Sequence, residues 1–386
     1  MRLPIQPVFL WTDILIDLLV VCTVIFIVYG IRKGHFRAIV RQIGKRPMAV
    51  VAFILLLCYL FVGLLDSFHF RLQLPSDQPG KETQEYGPDV LSALDFLVTP
   101  LRTHVEKTYS APLAKVGYTK ETVEDKAGVK HRIYPPLLYP GGHILGTDKV
   151  GNDVLYLSLK AIRTGLVVGS LTTLMMLPFA VLLGISAGYF KGWVDDLIAY
   201  VYTTLSSVPG VLLIAATVLM LQMYMDTHAG DFNSSAERAD VRLFFLCLIL
   251  GATGWIGLCR LLRGETLKIS TLEYVEAARA LGVGHCQIIF RHILPNVMHI
   301  ILISAVLDFS GLVLAEAVLS YVGIGVDPSM ISWGNMINSA RLEMAREPIV
   351  WWSLTAAFVM MVGLVLSVNI LSDAVRDALD PRLKER

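Results

Sequence analysis

The sequence predicts an all-α, multi-spanning membrane protein. Three observations carry this. The 386 residues have a mean hydropathy of +0.61. Only 17% are charged, against about 25% in a soluble domain. The missing charge is concentrated in long apolar runs, the pattern of a chain whose solvent is partly lipid.

A helix needs about 20 mostly apolar residues to cross the hydrocarbon core. Seven stretches qualify: 14–31, 48–65, 165–189, 197–225, 243–262, 300–325 and 350–371. Isolated strands would leave backbone groups unsatisfied in lipid, and these runs do not alternate as barrel strands do. Pro178 and Pro209 fall within spans and are candidate kinks. The first span is not read as a leader, because its positive charges follow it and no small-residue cleavage site is evident.

Charge sets the orientation. Arg32, Lys33, Arg37, Arg41, Lys45 and Arg46 crowd the loop after the first span with no acid among them. The loop 263–298 carries Arg263, Lys268, Arg279 and Arg291. The positive-inside rule puts both in the cytoplasm, and the four intervening spans, an even number, agree. The chain then starts outside, and its tail, with Arg376, Arg382, Lys384 and Arg386, ends inside.

Five parts follow. Residues 1–47 form an extra N-terminal span and a basic cytoplasmic loop. Residues 48–65 are the first core span, and 66–163 an extracytoplasmic segment read as loop with a few short helices. Residues 164–371 are the transmembrane core, and 372–386 the tail. The five cysteines offer no CxxC spacing for a metal or redox site and read as small apolar residues.

The loop 263–298 is the informative part. Ser270 with Glu273 has the spacing of a capping box, which predicts a helix start. Leu272, Val275 and Ala278 give that helix one apolar face. Gly282 and Gly284 stop it, and a second short helix is expected to end before Pro295. Two short helices at a bend make a knob that could dock on another protein. The small residues Ala277, Ala278 and Ala280 would allow close approach, and Glu276 could meet a partner arginine. A helix lying on the membrane is the alternative, but its polar face mixes Glu with Arg.

The string Glu276-Ala-Ala-Arg-Ala-Leu-Gly282, followed by Arg291-His-Ile-Leu-Pro-Asn296, resembles the coupling loop of ATP-binding-cassette importer permeases. The similarity is to the oligopeptide/dipeptide/nickel branch. Further segments resemble that branch in the same order: 143–154, 161–165, 188–195, 319–326, 332–335 and 373–381. Asn152 stands where the branch usually has Arg. The family core has six spans, so the resemblance leaves the first span and the long outer segment unexplained.

The resemblance implies an inner-membrane permease subunit of an ATP-driven importer, with peptides the commonest cargo of the branch. Its coupling residues would be Glu273, Glu276, Ala277, Ala278, Gly282, Leu294 and Pro295. It implies a second homologous permease, cytoplasmic ATPases and an extracytoplasmic substrate-binding protein as partners. No Walker motif occurs, since neither Gly44-Lys45 nor Gly80-Lys81 has the flanking residues. ATP and magnesium are therefore expected on the ATPase, with no cofactor and no catalysis on this chain. No metal site or nucleic-acid partner is expected.

Asp308 and Glu316 lie within the sixth span, eight residues apart. A carboxylate at that depth costs about 2.5–3.5 kcal/mol to insert and normally faces a bundle interior or an aqueous path. Both are candidate pathway residues. A secondary transporter using them as proton carriers is the rival function. A membrane-anchored receptor with 66–163 as its sensing domain is the other.

Overall fold

The computed structural model describes residues 5–31, 41–72, 87, 90–124, 130–228 and 235–379. Much of the basic loop 32–46 and of the C-terminal tail, and with them six of their basic residues, Arg32, Lys33, Arg37, Arg382, Lys384 and Arg386, lies outside these limits.

Helix α1 (Trp11–Ile31) is followed by α2 (Pro47–Ser67). Short helices α3 (Ala93–Leu97) and α4 (Thr99–Thr103) lie in the outer segment. The core holds α5 (Val154–Phe190), α6 (Gly192–Ser207), α7 (Gly210–Thr227), α8 (Ser235–Gly254) and α9 (Ile256–Ile269). After the loop helices α10 (Glu273–Ala280) and α11 (His285–Ile288) come α12 (Leu294–Val322), α13 (Trp333–Glu343) and α14 (Trp352–Leu379). Six described runs are long and apolar enough to cross a membrane: Pro47–Ser67, Val154–Phe190, Gly210–Thr227, Ser235–Ile269, His285–Val322 and Trp352–Ala378. Helix α1 adds 21 residues whose sequence carries no charge after Asp17. The all-α membrane architecture stands.

Three spans differ from their sequence bounds. The stretch 165–189 is the inner part of α5, whose 37 residues make a rod of about 55 Å. Asp153 caps its start by accepting from the Leu155 and Tyr156 N–H groups. The helix runs unbroken through Pro178. The stretch 197–225 is instead two helices, because Pro209 forces Val208 into an extended conformation. The last difference is at Pro295, described below.

The start of the chain and the segment 66–163 contain strands that the sequence did not announce. β1 (Ile5–Val8), β2 (His69–Leu72) and β3 (Leu91–Ser92) form an antiparallel sheet in that order, with Ile5 opposite Leu72 and His69 opposite Ser92. β4 (Glu121–Glu124) and β5 (Lys130–Ile133) form a hairpin. Strands of four residues or fewer carry too little alternation to be seen. The β1–β2 pairing brings the start of the chain to the outer end of α2.

Buried ion pairs lock this end. Arg163 of α5 donates from Nε to Asp13 at 3.1 Å and from Nη2 to the Thr12 hydroxyl at 3.0 Å. Thr12 in turn donates its N–H and hydroxyl to Asp240 of α8. His69 Nδ1 lies 2.7 Å from Asp13. Lys160 pairs with Asp95 at 2.6 Å, and Ser92 donates to Asp66. The Trp352 indole donates to the Thr147 carbonyl at 2.8 Å, fixing the outer segment to α14. At the opposite end Arg46 pairs with Asp377, joining the start of α2 to the last turns of α14.

Candidate functional site

The site is the loop between α9 and α12, at the end of the bundle opposite the 66–163 segment. It begins where Ser270 ends α9: its N–H donates to the Thr266 carbonyl and its hydroxyl to the Leu267 carbonyl. The expected capping box is therefore not formed. Helix α10 starts at Glu273 without a side-chain cap, because Ser270 is spent on the preceding helix.

The face of α10 is fixed by what it buries. Val275 is fully buried and Ala278 nearly so, packed with Ile269, Ile288, Ile293 and Tyr189. Leu272 is exposed, so the apolar face is shorter than the sequence spacing suggested. Glu273, Glu276, Ala277 and Ala280 all point outward. Close approach from outside thus falls to Ala277 and Ala280, while Ala278 holds the helix onto its own chain. The two glutamates occupy the first turn, where the positive end of the helix dipole favours them.

The helix ends in a Schellman motif. Gly282 adopts φ +77°, its N–H donates to the Arg279 carbonyl, and the Val283 N–H donates to the Ala278 carbonyl, both at 3.1 Å. Gly284 then serves as the N-cap of α11. The two glycines have separate jobs, one closing a helix and the other opening the next. Leu281, 84% exposed, projects from the turn.

Pro295 does not end a helix. The chain passes from α11 through a π-helical turn, Ile289–Ile293, directly into α12, and Pro295 sits in the first turn of α12. A wider turn absorbs the hydrogen bond that proline cannot make. Leu294 is half-buried and Pro295 exposed. The loop is thus joined to α12 by continuous helix.

Several supporting residues were not singled out by sequence. Arg279 lies over the Tyr189 ring at 5.2 Å. The Tyr189 hydroxyl and His285 Nδ1 are 2.9 Å apart. Asn296 donates to the Tyr274 hydroxyl at 2.9 Å and to the His292 carbonyl at 2.6 Å. Arg263 grips Asp195 through two nitrogens, and those hydrogen bonds hold the Asp195 carboxyl below the usual carboxylate range. Apart from Asn296 and His292, each pair is distant in sequence, and only the run of aromatic and basic residues near the span ends hinted at them.

Asp308 and Glu316 are not brought together. Glu316 is 1% exposed and accepts from the Ser320 hydroxyl at 2.7 Å. It packs against α13, where a Cβ on Gly334 would lie 3.1 Å from its carboxylate oxygen. Asp308 is half-buried and makes no hydrogen bond or ion pair among the described residues.

Residues 180–385 match the family described as binding-protein-dependent transport system inner membrane component. The chain belongs to this family. Within it, the permease groups with the oligopeptide/dipeptide class. It is 32% identical over 63% of its length to 71% of the oligopeptide transport system permease protein OppC of Haemophilus influenzae. It is 34% identical over 63% of its length to 73% of the glutathione transport system permease protein GsiD of Pectobacterium atrosepticum. Among solved structures, a chain of the MetNI methionine ABC transporter in an inward-facing conformation aligns with a TM-score of 0.45 and 17% identity, over 58% of this permease and 98% of that chain. The family match begins at residue 180, in the last turns of α5, and takes in the whole loop 263–298 and the helices after it.

Proposed function

We propose that this permease imports peptides, and that α10 is the helix on which a cytoplasmic ATPase docks. The observation that carries the reading is a short helix with an acidic outward face, buried on its own chain by Val275 and Ala278 and continuous with a membrane helix through the π-turn. A helix so mounted can take a push from outside and pass it into the bilayer. Glu273, Glu276, Ala277 and Ala280 form the contact face. Ala278 and Gly282 set its shape, and Leu294 and Pro295 are its joint with α12.

ATP and magnesium belong to the ATPase, and this chain carries no catalytic group or cofactor. A second, homologous permease completes the path, and an extracytoplasmic binding protein delivers cargo to the outer end. The C-terminus is cytoplasmic, as the basic residues of the tail imply, and the last described turns of α14 carry the Arg46–Asp377 pair. Asp308 is the better candidate for cargo contact, because it is partly open and unpaired. Glu316 holds α12 against α13. The peptide assignment rests on the named relatives.

The test is uptake of labelled trialanine by proteoliposomes containing the complete transporter. Uptake that needs both internal ATP and the binding protein supports the reading. Uptake driven by a proton gradient without ATP contradicts it and favours a secondary transporter.

A further inference from the structure

Tyr189 is the penultimate residue of α5 and only 4% exposed. Three elements meet on it. α5 supplies the ring, α10 lays the Arg279 guanidinium over it at 5.2 Å, and α11 presents His285 Nδ1 2.9 Å from its hydroxyl. Phe190 closes the cluster edge-on, with ring centroids 5.1 Å from Tyr189 and 5.8 Å from His285.

The neighbouring residue makes this contact stiff. A Cβ on Gly188 would lie 2.7 Å from both the Arg263 carbonyl oxygen and the Thr266 Cβ. The inner end of α5 therefore touches the α9 backbone directly and has no slack there. A displacement of α10 has two routes into the membrane. One is the continuous helix into α12. The other is across Tyr189 into α5, which runs to the outer end and there holds α1 and α8 through Arg163.

We propose that Tyr189 is a positioning residue for coupling: it passes movement of α10 to α5 without forming part of the docking face. This rests on α10 being the ATPase contact. The geometry separates the two roles, because Glu273, Glu276 and Ala277 face outward while Tyr189 lies behind the helix.

The test uses the complete transporter in proteoliposomes and reads trialanine imported per ATP hydrolysed. Tyr189→Phe keeps the ring beneath Arg279 and deletes the bond to His285. Tyr189→Leu deletes both contacts. The expected ratio falls about threefold for Phe and about tenfold for Leu, in line with one hydrogen bond and the cation–π contact of an exposed guanidinium on a buried ring. The ATPase should co-purify with both variants as with wild type. Equal ratios in all three proteins would overturn the proposal, as would loss of the ATPase from Tyr189→Phe. Glu276→Lys, run alongside, separates the underlying reading. If that variant keeps its ATPase, docking on α10 is wrong. If it loses the ATPase while the Tyr189 ratios match wild type, only the role of Tyr189 falls.

Discussion

The Val283 N–H donates to the Ala278 carbonyl at 3.1 Å, and this bond exists only because Gly282, between them, sits at φ +77°. Ala278 is the residue that pins α10 to the bundle, so the turn and the orientation of the acidic face are one arrangement. Gly282→Ala meets no steric obstacle, since nothing lies within 4 Å of the added Cβ. Its penalty is the left-handed backbone alone, about 1–2 kcal/mol. The variant should fold and insert, yet retain several-fold less ATPase after detergent washing. Gly282→Asn, which tolerates that backbone better, should retain more than Gly282→Ala. Equal retention by all three would show that the turn does not set the docking face.

Arg163 is the centre of the outer lock, facing Asp13 and Asp240. Arg163→Leu would leave two buried carboxylates without their cation. Removing one partner of such a cluster costs about 3–5 kcal/mol. Thermal unfolding of the purified permease should shift downward by many degrees, and the N-terminal helix should become accessible to protease before the core does. Unchanged protection of α1 would mean that packing alone retains it.

The legible parts of this chain were those written in local sequence. Long apolar runs gave the spans, and the Glu276–Gly282 string gave the loop, since helix, stop and acidic face lie within ten residues. The parts that escaped depend on partners far along the chain. Ser270 matched a capping box but was already bonded to the end of α9. Pro295 looked like a helix boundary until the π-turn before it removed the conflict. β1 and β2 are separated by about 60 residues and are too short to show alternation. The Tyr189–Arg279 contact joins residues 90 apart, and neither is unusual at its own position.

Asp95 sets an acid limit on the outer segment. Burial alone would raise its carboxyl. The Lys160 charge and hydrogen bond, with those from the Ser92 N–H and the Tyr156 hydroxyl, outweigh burial and hold it below the ordinary value. A carboxyl lowered by folding stabilises above its unfolded pKa of about 3.9 and loses that contribution as pH falls through the folded value. Proteolytic protection of the outer segment should therefore be flat from neutral pH down to about pH 4 and fall below it. Asp95→Asn should remove that acid limb and lower protection at neutral pH.

The two carboxylates of α12 should separate in their effects. Asp308→Asn should alter peptide uptake, changing KM for charged against neutral tripeptides, with little loss of stability. Glu316→Gln keeps an acceptor for Ser320 and should leave KM unchanged, while Glu316→Ala, which empties a site packed on α13, should lower stability by about 1–3 kcal/mol. The reverse pattern in uptake assays would place the cargo path beside Glu316.

The central claim is that an ATPase seats on the outward face of α10. The most direct measurement places a photoreactive cross-linker on Ala277→Cys in the purified complex, in a background where the exposed Cys58 and Cys286 are replaced by serine. The account predicts a cross-link to the ATPase subunit that disappears when Glu276→Lys is combined with it. A product with lipid alone, or with another permease chain, would contradict it and leave α10 as a membrane-surface helix.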